Sequence, residues 1–455
     1  MRIVRGAACL ALIGLLGMGC DDDGGSGMGG DGGTPDGGGT LDGSPSACSA
    51  TTTTGSLMIA ISGLPAGVPG SVAVAAGSAA PTMVTTSQTL MVASGSYTVT
   101  AQRVAGPADP IARAAYEPTV TGAGGGACVR AGMTTTVTVS YALIATSNKL
   151  WLSNGNGEAA MLAYAPAVLA ASGMPAAGVA AKTESSAGLT FDPAGNLWAL
   201  GSTTADAPIA RYPAASLGAS GVKMPDIEID SPSFGGGSPG PKVLAFDRSG
   251  NLWTTVGWAD KIVKFNAAQI AASGNPTAAM EITGLNGPSA LAFDMAGNLW
   301  VIADEKVMRI DASRLAASGA GPDLTIQIAR PAMAGELRAA YGLAFDAAGN
   351  LWVQAGLLCR LTPSDLAGTG SKTVDSGVQI EVTVTALPVG LAFDQSGGLW
   401  VASRGGSFVR FAPAQLAASG MPEPERVITS ADIGHADYFG IYPAPAELPL
   451  YHRLP

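Results

Sequence analysis

Two histidines are the whole imidazole inventory of this 455-residue chain, so acid–base chemistry that needs one must draw on His435 or His452. Imidazole is the side chain whose ordinary pKa, ~6.5, lets it exchange protons near neutrality. His435 stands in "DIGHADYF" with Asp437 and Tyr438 just behind it, while His452 lies near an end expected to fray. A second constellation is "VGWADK", where Trp258 offers an aromatic platform beside Asp260 and Lys261. A platform with both charges at its rim suits a sugar or a peptide. Glu184 and Asp304 are the candidate metal ligands, with Glu158, Asp206, Asp260 and Glu305 in similar loops. Carboxylate oxygens of this kind would take calcium or another divalent cation. No other cofactor is called for.

A louder signal is repeated. "LTFDPAGNLW", "LAFDRSGNLW", "LAFDMAGNLW", "LAFDAAGNLW" and "LAFDQSGGLW" each hold an acid, a turn and a tryptophan. The aspartates are Asp192, Asp247, Asp294, Asp346 and Asp394, each followed three residues later by glycine. Aspartate opening a turn and glycine in the left-handed conformation reverse the chain. A catalytic group should be singular, because an active site lacks the rotational symmetry of a repeat. The cassette is therefore expected to be architecture.

The elements that carry it follow from the spacing. Trp151, Trp198, Trp253, Trp300, Trp352 and Trp400 are separated by 47, 55, 47, 52 and 48 residues. After each comes a second cassette such as "FNAAQIAASGNP" or "FAPAQLAASGMP", read as a one-turn helix often opened by proline and closed by glycine. Four strands per unit at this period indicate a β-propeller. The first unit lacks an "LAFD" strand and the C-terminus has one to spare, so the sequence predicts an all-β, six-bladed propeller over 146–455, closed by the C-terminal strand. Before it, over 55–145, short alternating strands such as "SLMIAIS" and "GSYTVTA" predict a small β-sandwich.

These motifs carry family resemblances. "LAFDxxGNLWV" resembles the NHL-repeat propellers and the senescence-marker-protein/gluconolactonase family, over about 300 of the 455 residues. The latter resemblance implies a divalent cation held in the channel by Glu, Asn and Asp. Glu184 and Asp304 occupy fitting positions, and no asparagine matches. The G-N-L-W strand is also similar to that of streptogramin lyases, which use channel histidines, a glutamate and Mg²⁺; here only His435 is available. "GSYTVTA" resembles Ig-like and carboxypeptidase-regulatory-like modules, which serve as spacers.

The N-terminus sets the expected compartment. Arg2 and Arg5 precede an apolar run from Ala7 to Met18. That run is shorter than the ~20 residues of a membrane-spanning helix, and it reads as an export signal over 1–19. Gly19-Cys20 resembles the lipobox of bacterial lipoproteins, which implies lipidation at Cys20. The rest of 20–54 is an Asp/Gly-rich tether with a span of roughly 30 Å. Cys48 and Cys128 bracket the sandwich and are expected to pair in an oxidising compartment. Cys359, in "GLLCRL", is expected to be a buried small hydrophobe.

The net charge of −10 excludes a basic nucleic-acid footprint. The expected protein is a monomer anchored by lipid in the bacterial envelope, at the outer membrane, facing the periplasm or the exterior. The sequence favours a non-enzymatic propeller that binds an envelope protein or glycan through its channel-mouth loops. The alternative is a metal-dependent, lactonase-like hydrolase or a lyase.

Overall fold

A computed structural model describes residues 48, 50–122, 126–155, 157–184, 187–201, 209–236, 241–329, 342–383 and 388–454. The export signal, Cys20, most of the tether and Asp206 lie outside them. The described chain is built of β-strands and single 3-10 turns. Among the described residues no helix is long and apolar enough to cross a membrane. Cys48–Pro455 is one compact unit.

The first strands form a two-sheet sandwich. One sheet runs in the order Gln88–Ala93, Thr54–Ser62, Thr134–Leu143, Ala115–Thr121, Val104–Ala105. The other is Thr82–Val84, Val72–Ala75, Gly95–Ala101, Ala127–Val129. Alternation puts Leu57, Ile59, Val137 and Val139 inward, where they meet Val72, Val74 and Val99. Cys48 and Cys128 form a disulfide with Cα atoms 5.6 Å apart.

Six sheets follow, each with four blade strands from the inside outward; in blades 1, 3 and 4 a fifth strand from the next blade, Gly221–Val222, Gly319–Ala320 and Gly370–Asp375, adds to the outer edge. Blade 1 is His435–Tyr442, Lys149–Gly155, Met161–Tyr164 and Val179–Lys182, so the last strand of the chain is its innermost. Blade 2 runs from Ala187–Phe191 to Ile227–Ile229, blade 3 from Pro241–Phe246 to Met280–Thr283, and blade 4 from Ala290–Phe293 to Leu324–Ala329. Blade 5 runs from Gly342–Phe345 to Val378–Ile380, and blade 6 from Pro388–Phe393 to Arg426–Thr429. The innermost strands neighbour one another in cyclic order, blade 6 against blade 1 included.

The apolar cores lie between blades. Each of five tryptophans meets the phenylalanine of the next blade's innermost strand, as Trp253 meets Phe293 at 5.8 Å and Trp352 meets Phe393 at 6.3 Å. Trp151, Trp253 and Trp400 are fully buried. An aromatic of this size hides ~150–250 Å². At ~25 cal/mol/Å² each contributes, as an upper bound, about 4–6 kcal/mol. The gaps between blades are therefore where stability concentrates.

The turn aspartate does more than cap its own turn. One oxygen of Asp294 accepts the backbone N–H groups of Ala296 and Asn298, and the other accepts the Trp300 indole N–H at 2.9 Å. The same indole–carboxylate bond spans 2.9–3.1 Å in blades 2, 3, 5 and 6. Each buried Trp N–H thus has a partner, which an unpaired polar group in such a core would lack at a cost of ~1–3 kcal/mol. Arg211, Lys264, Arg309 and Arg360 cover the tryptophan faces at 5.2–6.0 Å. In blade 6, Gly398 replaces the turn asparagine, and a Cβ there would lie 2.1 Å from Arg410. The guanidinium takes the vacated place: Nε donates to Asp394 at 2.6 Å and Nη2 to the Ser396 hydroxyl at 2.7 Å.

The "LAASG" cassette differs from the expected capped turn. Pro166 and Pro413 open their turns as expected, but Ala170 and Ala417 close them in the right-handed region. The glycine instead reaches the outer strand of the preceding blade. Gly274 bridges Ile229, Gly420 bridges Ile380, and Gly173 bridges Ile428, joining blade 1 to blade 6. The cassette serine accepts a backbone N–H from that same outer strand, as Ser273 does from Glu228 at 3.1 Å and Ser172 from Val427 at 3.0 Å. Each blade therefore clasps the one before it.

Pro443–Leu454 folds back over the channel on the face of the aspartate turns. Leu448 joins the blade 5–6 core, Tyr451 meets Phe246 at 5.4 Å, and His452 meets Phe191 at 5.7 Å. The expectation of a frayed end at His452 is overturned. The ring is 6 % exposed, and its Nε2 lies 3.0 Å from the Ile441 carbonyl. Burial lowers its pKa from 6.5 to about 4, so it is neutral.

Candidate functional site

The face opposite the aspartate turns carries the connections between second and third strands and the starts of the innermost strands. Blade 4 turns through Asp304 and Glu305, both at positive φ (51° and 56°), the geometry of a two-residue hairpin. Asp304 Oδ2 pairs with the Lys306 ammonium at 2.5 Å, and Oδ1 accepts from the Asn286 amide at 3.1 Å. These donors hold its carboxyl below the ordinary carboxylate range, the Lys306 hydrogen bond most of all. Glu184 is exposed, ahead of the innermost strand of blade 2. Among the described residues no three His, Cys, Asp or Glu side chains form a metal-holding group.

Trp258, Asp260 and Lys261 are each tied into neighbouring structure. The Trp258 indole N–H donates to the Phe234 carbonyl at 3.0 Å, and its ring lies over Gly235, where a Cβ would meet it at 2.7 Å. The ring keeps 39 % exposure. Asp260 accepts the Gly287 N–H at 2.8 Å, linking blades 3 and 4, and Lys261 pairs with Glu281 at 2.9 Å.

His435 and Asp437 come together. They lie two residues apart on one strand and so share a face. Both sit beside Gly155, where a Cβ would be 2.6 Å from the Asp437 carboxylate and 3.4 Å from the His435 Cβ. The missing side chain is what admits Asp437. Its other oxygen accepts from Arg404 Nε of blade 6 at 2.9 Å, and the carboxylate is 13 % exposed. Tyr438 is anchored through its backbone, whose N–H donates to Ser153 Oγ at 2.9 Å. Asn154 completes the seam, donating to the Asp432 carbonyl and accepting from the Gly434 N–H.

Lys242 enters from blade 3, across the ring from blade 6. Burial lowers its pKa, and the Arg404 charge lowers it further. Two cations from opposite blades therefore feel one another over the channel axis, with Asp437 between blades 6 and 1. The innermost strands also crowd here: a Cβ on Gly390 would lie 2.3 Å from the Asp437 carbonyl, and one on Gly188 2.5 Å from that of Lys242. Below, on the turn side, is an apolar cavity of about 160 Å³ lined by residues such as Leu244, Leu291 and Leu391 and covered by Pro445–His452.

Sequence reasoning named His435, Asp437 and Tyr438 and did not name Arg404 and Lys242, which the structure sets beside them. The only signal was their place in the non-repeating loops "ASRGGS" and "PGPK". The structure places the Trp258 group on blade 3 and the His435 group on blades 1 and 6, as two separate features. Cys359 is buried in the core between blades 4 and 5.

No protein-family model matches the chain, and no curated protein does. Solved structures of similar fold include a streptogramin B lyase, at 15% identity and TM-score 0.32, covering 50% of this chain and 65% of that one. A catalytically inactive virginiamycin B lyase from Staphylococcus aureus with quinupristin is similar at 14% identity and TM-score 0.34, over 77% of this chain and 96% of that one. The extracellular domain of a one-component system from B. thetaiotaomicron is similar at 17% identity and TM-score 0.33, over 50% of this chain and 29% of that one. The propeller assignment itself rests on the strand pairings above.

Proposed function

We propose that this chain is a lipid-tethered envelope protein with an NHL-like propeller that works as a non-enzymatic binding module. Its partner, an envelope protein or glycan, is taken at the mouth formed by Arg404, Asp437, His435 and Lys242. The observation that carries this reading is convergence: these groups come from blades 6, 1 and 3, and none belongs to the repeated frame. Function is commonly carried by such non-repeating loops on a rigid scaffold.

The test is binding of the purified full chain to peptidoglycan and lipopolysaccharide fractions, compared between the wild type and Arg404→Gln. Loss of binding in the variant, with Arg426→Gln unchanged, supports the reading. Equal binding by wild type and Arg404→Gln overturns it. Thermal unfolding with EDTA, Ca²⁺, Mg²⁺, Mn²⁺ and Zn²⁺ covers the alternative. A cation at a hundred times its Kd would stabilise by about 2.7 kcal/mol. Such a selective shift would move the reading to a metal-dependent hydrolase.

A further inference from the structure

On the aspartate-turn face, the gap between blades 3 and 4 departs from its repeats in three ways at once. Arg248 occupies the second turn position, where the other turns carry Pro193, Met295, Ala347 and Gln395. Lys264 stands over Trp253 where Arg211, Arg309, Arg360 and Arg410 stand in blades 2, 4, 5 and 6. Pro449 and Tyr451 of the C-terminal segment form a wall to this gap. Together they enclose a cleft of about 370 Å³, within the ~300–1,000 Å³ of small-ligand sites.

The cleft has an aromatic side and a cationic rim. Phe246, Phe293 and Tyr451 line it, with Tyr451 tilted against Phe246 at 5.4 Å. Burial raises the Tyr451 pKa, which keeps the phenol neutral. Arg248 is exposed, and its Nη2 lies 3.7 Å from the Met295 sulfur, a weak acceptor. Lys264 uses one N–H on the Leu315 carbonyl at 2.9 Å. Asp247, the acid of the cleft, is already engaged by Ser249, Asn251 and Trp253. A planar guanidinium accepts a carboxylate through two parallel hydrogen bonds.

We propose that this cleft binds a small aromatic carboxylate, with its ring against Phe246 and Tyr451 and its carboxylate on Arg248. The site is independent of the mouth on the opposite face.

The experiment titrates the full chain with phenylacetate and with its neutral amide, phenylacetamide, by calorimetry and ligand-observed NMR. A charge-assisted pair of this kind corresponds to about a tenfold preference for the acid. Arg248→Gln, an exposed turn position, should erase that preference, and Arg248→Lys should restore part of it. Tyr451→Ala should weaken acid and amide alike. The proposal is overturned by equal affinity for acid and amide in the wild type, by an acid preference that survives Arg248→Gln, or by no binding at ~10 mM phenylacetate, ten times a weak Kd of ~1 mM.

Discussion

In blades 2 to 6 a short turn joins the innermost strand to the tryptophan strand; in blade 1 those two strands stand at opposite ends of the propeller sequence. The same packing problem is consequently solved with different residues. Without a turn aspartate, the Trp151 indole donates to the Thr146 carbonyl at 2.9 Å. Ile441 pairs with Leu150 where phenylalanine would stand. Tyr442 follows it in place of the aspartate, and its hydroxyl donates to the Pro193 carbonyl at 2.8 Å. Ala115 and Ile144 from the sandwich side join the core between blades 1 and 2. Repetition supplies a tryptophan–phenylalanine contact at the five joints from blade 1–2 to blade 5–6, and non-repeated residues stand in for its missing parts on both sides of blade 1.

The comparison can be sharpened first within the repeats. Arg410 is 8 % exposed and bonds the fully buried Asp394, whereas Arg360 only lies over Trp352. Removing one member of a buried pair costs ~3–5 kcal/mol, against ~1 kcal/mol for a stacked cation. Chemical denaturation of Arg410→Ala and Arg360→Ala should show that difference. Equal losses would mean that Arg410 does not replace the missing asparagine.

The next test addresses the flanking segment. His452 has a folded pKa of about 4, below its ordinary 6.5, because burial disfavours the charged ring. The folded form then binds fewer protons than the unfolded one between those values. Its contribution is intact above pH ~6.5 and is lost as pH falls toward 4, about 3 kcal/mol in all. Unfolding midpoints from pH 7 to 4 should fall less steeply in His452→Phe. An unchanged slope would place the ring in water.

The smallest effect is expected at the clasps. Ser172→Ala at the closing joint and Ser273→Ala between blades 2 and 3 should each cost about 1 kcal/mol. A normal loss for Ser273→Ala with none for Ser172→Ala would show that the closing joint is not clasped.

The propeller was legible because tryptophan and aspartate recur at nearly constant spacing. The indole–carboxylate bond was not, because the aspartate's backbone bonds already accounted for it locally. The clasp was hidden for a related reason: "LAASG" reads as a complete local turn, and its partner lies on another blade. His435 and Asp437 were readable as a pair because a strand puts alternate residues on one face. Arg404 and Lys242 were not, since blades 6 and 3 place them by long-range closure. Trp258, Asp260 and Lys261 were readable as neighbours in one short loop, but their ties to Phe234, Gly287 and Glu281 were not, because those partners lie in other segments.

The direction of the clasps has a consequence for synthesis. Blades 1 to 5 are each fastened by the one translated after them, and blade 6 by blade 1, so the growing ring always has its newest outer strand open. Blade 1 waits longest. Ser172 meets Val427 across 255 residues, and Tyr438 meets Ser153 across 285. Contacts that distant form slowly, because the intervening chain must be ordered first. Until the final strand emerges, Trp151 and Trp400 flank an unfilled seam. A nascent chain stalled before residue 435 would display that seam to proteases, while the finished ring hides both indoles at once.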